Sequence, residues 1–316
     1  MPRHEPEVLR NDVAGIARAA EILRAGGLVG LPTETVYGLA ADARNAMAVA
    51  RIFAAKGRPG FNPLIVHVAS LAEAEALVAF TPLAHRLAQA FWPGPLTLVL
   101  PSRGGVADLV QGGLPTLAVR VPAHPVARAV LAAFGGPIAA PSANPSGAIS
   151  PTTAAHVVAG LGVRIDAVLD GGACGVGLES TILAPGSDAS VRLLREGGIA
   201  RDAVEALVGP VTADLTPGRI EAPGQMERHY APRTRLVMGG DPRPGEVRIG
   251  FGAAPGDLTL SATGDLVEAA ARLYAVLHAA DALAQARGAS VIRVTPVPDT
   301  GLGRAINDRL RRAAAD

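Results

Sequence analysis

Lys56 and Arg58 stand two residues apart in Lys56-Gly57-Arg58-Pro59-Gly60, in a stretch broken by glycine and proline. Cations so spaced can converge on one anion, the arginine supplying a planar fork for its oxygens and the lysine a compact, mobile point charge. The lysine is singular: 28 of the 29 basic residues are arginine, so Lys56 is the only lysine in 316 residues. An ammonium kept at one place in so arginine-rich a chain points to a site where a planar guanidinium does not serve. A helix end whose cations complement the dipole would also account for Lys56 and Arg58. It has no use for Asn62 and His67, which follow in Asn62-Pro63-Leu64-Ile65-Val66-His67. His67 shares a strand face with Ile65 two positions before it.

Three further segments hold polar groups beside buried strands. Pro32-Thr33-Glu34-Thr35-Val36-Tyr37-Gly38-Leu39 leaves a strand end, where open α/β sheets bind ligands. In Ala140-Pro141-Ser142-Ala143-Asn144-Pro145-Ser146-Gly147, prolines stiffen a loop whose amides and hydroxyls could cradle phosphates or a ribose. Ser150 and Pro151 fit an N-cap and first turn for a helix near residue 153, which explains Ser150 but leaves Ser142 and Asn144 without a role. Arg120 closes a strand beginning at Thr116 and could hold a carboxylate bidentately, and Glu179-Ser180-Thr181 opens another strand. The glycine run 171–177 lacks dinucleotide-fingerprint spacing, and no Walker loop, His-Glu metalloprotease pair or Gly-x-Ser-x-Gly elbow occurs.

Positioning these segments requires an alternation of helices and strands. Helical spacing predicts helices over 12–25, 46–55, 71–78, 83–91 and 125–134, and strands over 28–31, 64–68, 96–100, 116–121, 138–140, 167–170, 180–184 and 191–195. That pattern is α/β with a mixed sheet. From 210 to 234 periodicity fails, with Thr216-Pro217-Gly218 and Ala222-Pro223-Gly224 as punctuation and His229-Tyr230-Ala231-Pro232 near the end. Strands over 235–238, 247–251, 258–260 and 291–295 and helices over 265–287 and 304–315 then make a second small α/β unit. The expected divisions are 1–209, a linker at 210–234, and 235–316. The arginines of the final helix (Arg304, Arg309, Arg311, Arg312) fit a solvated face.

Composition narrows the function. A formal net charge of +1 argues against a protein built to coat nucleic acid. Cys174 is the only cysteine, so neither a disulfide framework nor a thiolate zinc site forms within the chain. No apolar run approaches the roughly 20 residues of a spanning helix, and the chain reads as cytoplasmic, with no membrane association.

Together these segments, with Trp92-Pro93-Gly94-Pro95-Leu96-Thr97 and Leu193-Leu194-Arg195, resemble the threonylcarbamoyl-AMP synthase family of the YrdC-like fold. His229-Tyr230-Ala231-Pro232 and the ending Gly301-Leu302-Gly303…Asn307-Asp308-Arg309 look like its long form, a catalytic domain with a twisted mixed sheet followed by a small Rossmann-like domain. The resemblance implies formation of threonylcarbamoyl-AMP and pyrophosphate from L-threonine, bicarbonate or CO₂, and ATP, the product passing to proteins that modify tRNA. It implies Thr35, His67, Arg120 and Ser180 on the threonine side. Lys56, Arg58, Asn62, Thr116, Ser142, Asn144, Ser150 and Arg195 fall on the ATP side, with Lys56 and Arg58 neutralising the triphosphate and Tyr230 folding over the nucleotide. Mg²⁺ would ride on phosphate oxygens and water. A carbamate is short-lived in water, so the 210–234 linker is expected to act as a lid. The segment around Met226-Glu227 departs from the aromatic-rich form of this linker. The competing expectations are an RNA-binding module of the same fold, disfavoured by charge, and carbamoyl-adenylate chemistry in metal-centre maturation, whose Cys-rich zinc segments a single cysteine excludes.

Overall fold

The computed structural model describes residues 5–60, 62–188, 190–213, 221–224, 228–241 and 243–315. The first part of the chain runs β1 (Glu7–Arg10), α1 (Val13–Arg24), β2 (Val29–Leu31), β3 (Gly38–Asp42), α2 (Ala46–Lys56) and β4 (Ile65–His67). It continues with α3 (Leu71–Leu77), α4 (Pro82–Phe91), β5 (Leu96–Pro101), α5 (Asp108–Gln111), β6 (Thr116–Arg120), α6 (Pro125–Phe134) and β7 (Ile138–Ala139). Then come α7 (Ala154–Leu161), β8 (Ala167–Asp170), β9 (Thr181–Pro185), β10 (Val191–Arg195), α8 (Arg201–Val208) and β11 (Thr212–Ala213). These strands form one mixed eleven-stranded sheet in the order β1-β8-β2-β3-β7-β4-β6-β5-β9-β10-β11.

Helix ends follow the side chains that cap them. Asp12 accepts the Gly15 amide at the start of α1, and Asn45 accepts those of Met47 and Ala48 at the start of α2. Gly57 ends α2 in the left-handed region, φ 62°, so Lys56 is the last helical residue and the chain turns sharply toward Arg58. The helix near 153 is capped by Thr153, whose hydroxyl accepts the His156 amide, and not by Ser150. Ser150 is instead fully buried and donates to the Glu179 carboxylate, 2.6 Å away. Strands β1 and β3 and helix α8 lie where no periodic signal was read; β3 pairs antiparallel with β2 and carries Gly38 and Leu39 into the sheet.

The second part comprises β12 (Arg235–Met238), β13 (Val247–Gly250), β14 (Leu258–Thr259), α9 (Leu266–Arg287), β15 (Val291–Val294) and α10 (Gly303–Ala314). Its parallel four-stranded sheet has the order β12-β15-β13-β14. The two parts share an apolar cluster in which Val36, Ile149, Leu178 and Tyr230 pack with Tyr274, Leu277 and Ile306. Close approach needs Gly177: a Cβ there, at φ 69°, would meet the Ala271 carbonyl oxygen at 2.4 Å. The last glycine of the run thus serves helix packing. In the linker, 210–213, 221–224 and 228–234 are described, while Thr216-Pro217-Gly218 and Met226-Glu227 lie outside the described residues.

Candidate functional site

Parallel pairing of β4 with β6 sets His67 directly beside Arg120. Ile65 and His67, sharing one strand face, both line a cavity with about 530 Å³ of space free of protein atoms, part of it continuous with solvent. The loop 32–37 and the start of β9 close one end, bringing Thr33, Thr35 and Ser180 to the wall. Arg58, Arg120, Ser142, Glu179, Arg195 and Tyr230 are among the other residues that line it, with Gly224 and His229 beside Tyr230.

At the β6 end every charge is balanced. Arg120 donates to a Glu34 carboxylate oxygen at 2.6 Å, to the Thr35 hydroxyl at 2.9 Å and to the Gly94 carbonyl at 3.1 Å. The Arg120 charge lowers the Glu34 pKa against the opposing effect of burial. The Ser180 and Thr97 hydroxyls are 2.7 Å apart. Burial, followed by the Arg120 charge, pulls His67 down to about 3, so its ring is neutral near pH 7. Among the described residues its buried Nδ1 has no hydrogen-bond partner, and the same holds for Nδ1 of His229, also at about 3. Buried polar atoms are nearly always paired, so these two imidazoles, both on residues that line the cavity, stand out as groups whose partners the described residues do not supply.

The other end is cationic. Arg58 donates to the Asn62 carbonyl, the Asn62 side-chain oxygen (2.7 Å) and the Pro63 carbonyl (2.9 Å). Arg195 donates to the Ser180 carbonyl, the Ser180 hydroxyl and the Pro223 carbonyl. Among the described residues neither guanidinium has a carboxylate partner. Burial brings Arg58 down to about 10 and lowers Arg195, yet at neutral pH both stay protonated. Two desolvated cations facing one cavity make an anion site. Tyr230 roofs it at φ 64°, the one described non-glycine residue in the left-handed region. Gly224 sits beneath, where a Cβ would come within 2.8 Å of the Tyr230 hydroxyl oxygen and 3.1 Å of Arg195.

The remaining expected residues stand behind the wall. Lys56 does not line the cavity: its ammonium donates to the Ser142 and Asn144 carbonyls, each at 2.6 Å, with the Asn144 side-chain oxygen at 3.4 Å. Burial, then the charges of Arg58 and Arg164, pull its pKa well down, and three oxygens stand where they can accept its protons. In this arrangement Lys56 clamps the loop that presents Ser142, and neutralising a phosphate directly would require releasing those oxygens. Asn144 completes the clamp by donating to the Ala148 carbonyl at 2.7 Å. Asn62 orients Arg58, and Ser150 holds Glu179. Thr116 opens β6, four residues before Arg120 on the same strand face, and is not part of the lining.

Glu34, Glu179 and His229 line the cavity or hold its charges, and no role was assigned to them from sequence. Glu34 and His229 each sit beside a named residue, Thr35 and Tyr230, which was the available signal. Glu179 is held near 2 despite burial, chiefly by the charge of Arg309 on α10. Arg309 is fully buried, so it does not belong to a solvated face.

The chain resembles known proteins over nearly its whole length. The Sua5/YciO/YrdC family model, described as telomere recombination, matches residues 21–197, and a model described as the C-terminal domain of threonylcarbamoyl-AMP synthase matches residues 199–315. The chain is 42% identical over 325 aligned positions to the threonylcarbamoyl-AMP synthase of Bacillus subtilis, spanning 95% of this chain and 92% of that protein. It is 41% identical to the enzyme of the same name from Pyrococcus abyssi, spanning 94% and 93%. The crystal structure of Pyrococcus abyssi Sua5 complexed with L-threonine superposes with a TM-score of 0.88 at 38% identity, covering 98% of this chain and 97% of that one.

Proposed function

The chain belongs to the threonylcarbamoyl-AMP synthase family, and on that premise we propose that its cavity makes threonylcarbamoyl-AMP and pyrophosphate from L-threonine, bicarbonate or CO₂, and ATP. The observation that carries the reading is the division of the cavity into a charge-balanced end and a cationic end. A zwitterionic amino acid suits the Arg120–Glu34 pair, which offers one charge of each sign beside the Thr35 hydroxyl and the orphan nitrogen of His67. A polyphosphate suits Arg58 and Arg195, which among the described residues have no carboxylate to give up.

The chemistry asks for alignment more than for a protein nucleophile. The ammonium of bound threonine gives up one proton to water, its amine adds to CO₂ and releases a second proton as the carbamate forms, and a carbamate oxygen then attacks the α-phosphorus as pyrophosphate leaves. Arg58 and Arg195 would stabilise the negative charge on the phosphoryl oxygens, and the Ser142 loop, clamped by Lys56, would present its hydroxyl and amides beside them. Tyr230 and His229 would exclude water from the carbamate. Glu179 in the lining and Glu34 beside it are both held by arginine, so a Mg²⁺ arriving with ATP would take its ligands from phosphate oxygens and water. The adenylate would then pass to a protein that transfers the group to tRNA in the cytoplasm.

The deciding experiment incubates the protein with ATP, bicarbonate and labelled threonine. Pyrophosphate released in step with a labelled threonine–adenylate supports the reading. Pyrophosphate release indifferent to threonine, or tight salt-sensitive RNA binding without turnover, refutes it.

A further inference from the structure

Arg309 on α10 lies 130 residues beyond Glu179 in sequence, yet its Nε donates to the Glu179 carboxylate at 2.9 Å. The same guanidinium donates to the Glu196 carbonyl at 2.8 Å and to Asp308 at 2.6 Å, and its carbon lies 5.1 Å from the centre of the Tyr230 ring. Tyr274 on α9 adds its hydroxyl to Glu179 at 2.7 Å, and Ser150 adds another at 2.6 Å. Two helices of the second unit therefore meet the cavity wall at one carboxylate and one aromatic ring.

Two features set this contact apart from ordinary packing. Glu179 lines a cavity whose opposite charges, Arg58 and Arg195, suit an anion, and a bare carboxylate there would oppose that anion; Arg309 cancels it. Tyr230, meanwhile, holds a backbone conformation that side chains disfavour, and such residues persist where their surroundings over-determine them. Here the surroundings are the Arg309 guanidinium, the Tyr274 ring with centroid at 5.7 Å and the His229 ring at 4.0 Å. Stability alone does not explain the pair, because a buried ion pair is often matched or exceeded by apolar residues of similar volume.

We propose that Arg309 is a positioning residue for the nucleotide end of the cavity: it neutralises Glu179 and seats Tyr230, so the second α/β unit completes the site without touching substrate. This rests on the adenylation reading above. The test uses the full-length protein as Arg309→Gln, Arg309→Lys and the double variant Arg309→Gln/Glu179→Gln, with melting temperature as the folding control. Arg309→Gln should raise KM for ATP about tenfold, the scale of coupling within one charged network, while KM for threonine stays within about twofold. Removing the uncompensated charge in the double variant should recover most of that loss, and Arg309→Lys should fall between. Hydrogen exchange over residues 228–231 should rise in Arg309→Gln, a readout independent of turnover. An unchanged KM for ATP with unchanged exchange in folded Arg309→Gln overturns the proposal. So does an equal rise in both KM values that the double variant fails to recover. Should Arg309→Gln not fold, the Arg309→Lys variant decides by the same KM split and exchange. If the unmutated protein releases no threonine-dependent pyrophosphate, the adenylation reading fails, while the exchange result still reports on the seating of Tyr230.

Discussion

The two ends of the cavity hold their arginines in opposite ways. Arg120 closes a central sheet strand and is matched by Glu34 at 2.6 Å. Arg58 and Arg195 are also buried, but among the described residues their acceptors are neutral carbonyl, amide and hydroxyl oxygens. A buried guanidinium with a carboxylate is already stabilised, whereas one with only neutral acceptors keeps much of its desolvation cost until an anion arrives. The first arrangement recognises a ligand that brings both signs of charge. The second is poised for one that brings several negative charges.

Breaking the cationic end should have the largest effect. Arg58→Ala is expected to lower threonine-dependent pyrophosphate release about 10²–10³-fold, the scale for removing one preorganised donor to developing negative charge. Arg120→Ala should instead act mainly through KM for threonine, and equal effects on both substrates would erase the distinction between the ends. Next comes Lys56→Arg. Three oxygens surround a compact ammonium there, and a larger planar group must push the Ser142–Asn144 loop outward. We expect a loss of roughly 1–3 kcal/mol in unfolding free energy, as for overpacked cores, together with lower turnover. Unchanged stability and activity would show that the site has no need of an ammonium.

The last contrast concerns pH and shows in stability alone. His67 ionises near 6.5 when unfolded but only near 3 when folded, so unfolding takes up a proton between those values. That contribution to stability is complete above about pH 6.5 and is lost as pH falls toward 3. His67→Gln should therefore flatten the fall in unfolding free energy between about pH 6.5 and 4.5, by an amount approaching ~1.4 kcal/mol per pH unit. An unaltered slope in a urea titration series would mean that His67 is not held neutral at the balanced end.

Much of the fold was legible because it is local. Asn45 and Gly57 bracket α2, and the alternation through Ile65 and His67 announces which face of β4 meets the cavity. Ser150 shows where local reasoning fails. Followed by proline, it has the form of a helix cap, yet its hydroxyl is taken by a carboxylate 29 residues away, and Thr153 does the capping. Strand β1 was missed because its residues are largely exposed and carry no alternation, its place being fixed by pairing with β8 far along the chain.

By itself the sequence determined which groups are available and in what local order: one lysine, arginines at strand and helix ends, and hydroxyls and amides in proline-stiffened loops. Capping, alternation and turn chemistry act over a few residues, and these can be read along the chain. Only the tertiary structure decided what each charge faces. Lys56 finds its oxygens 86 and 88 residues away, Arg120 finds Glu34 across 86, and Arg309 finds Glu179 across 130. A buried charge is stabilised by whatever lies within a few ångströms of it, and over such separations folding sets that distance.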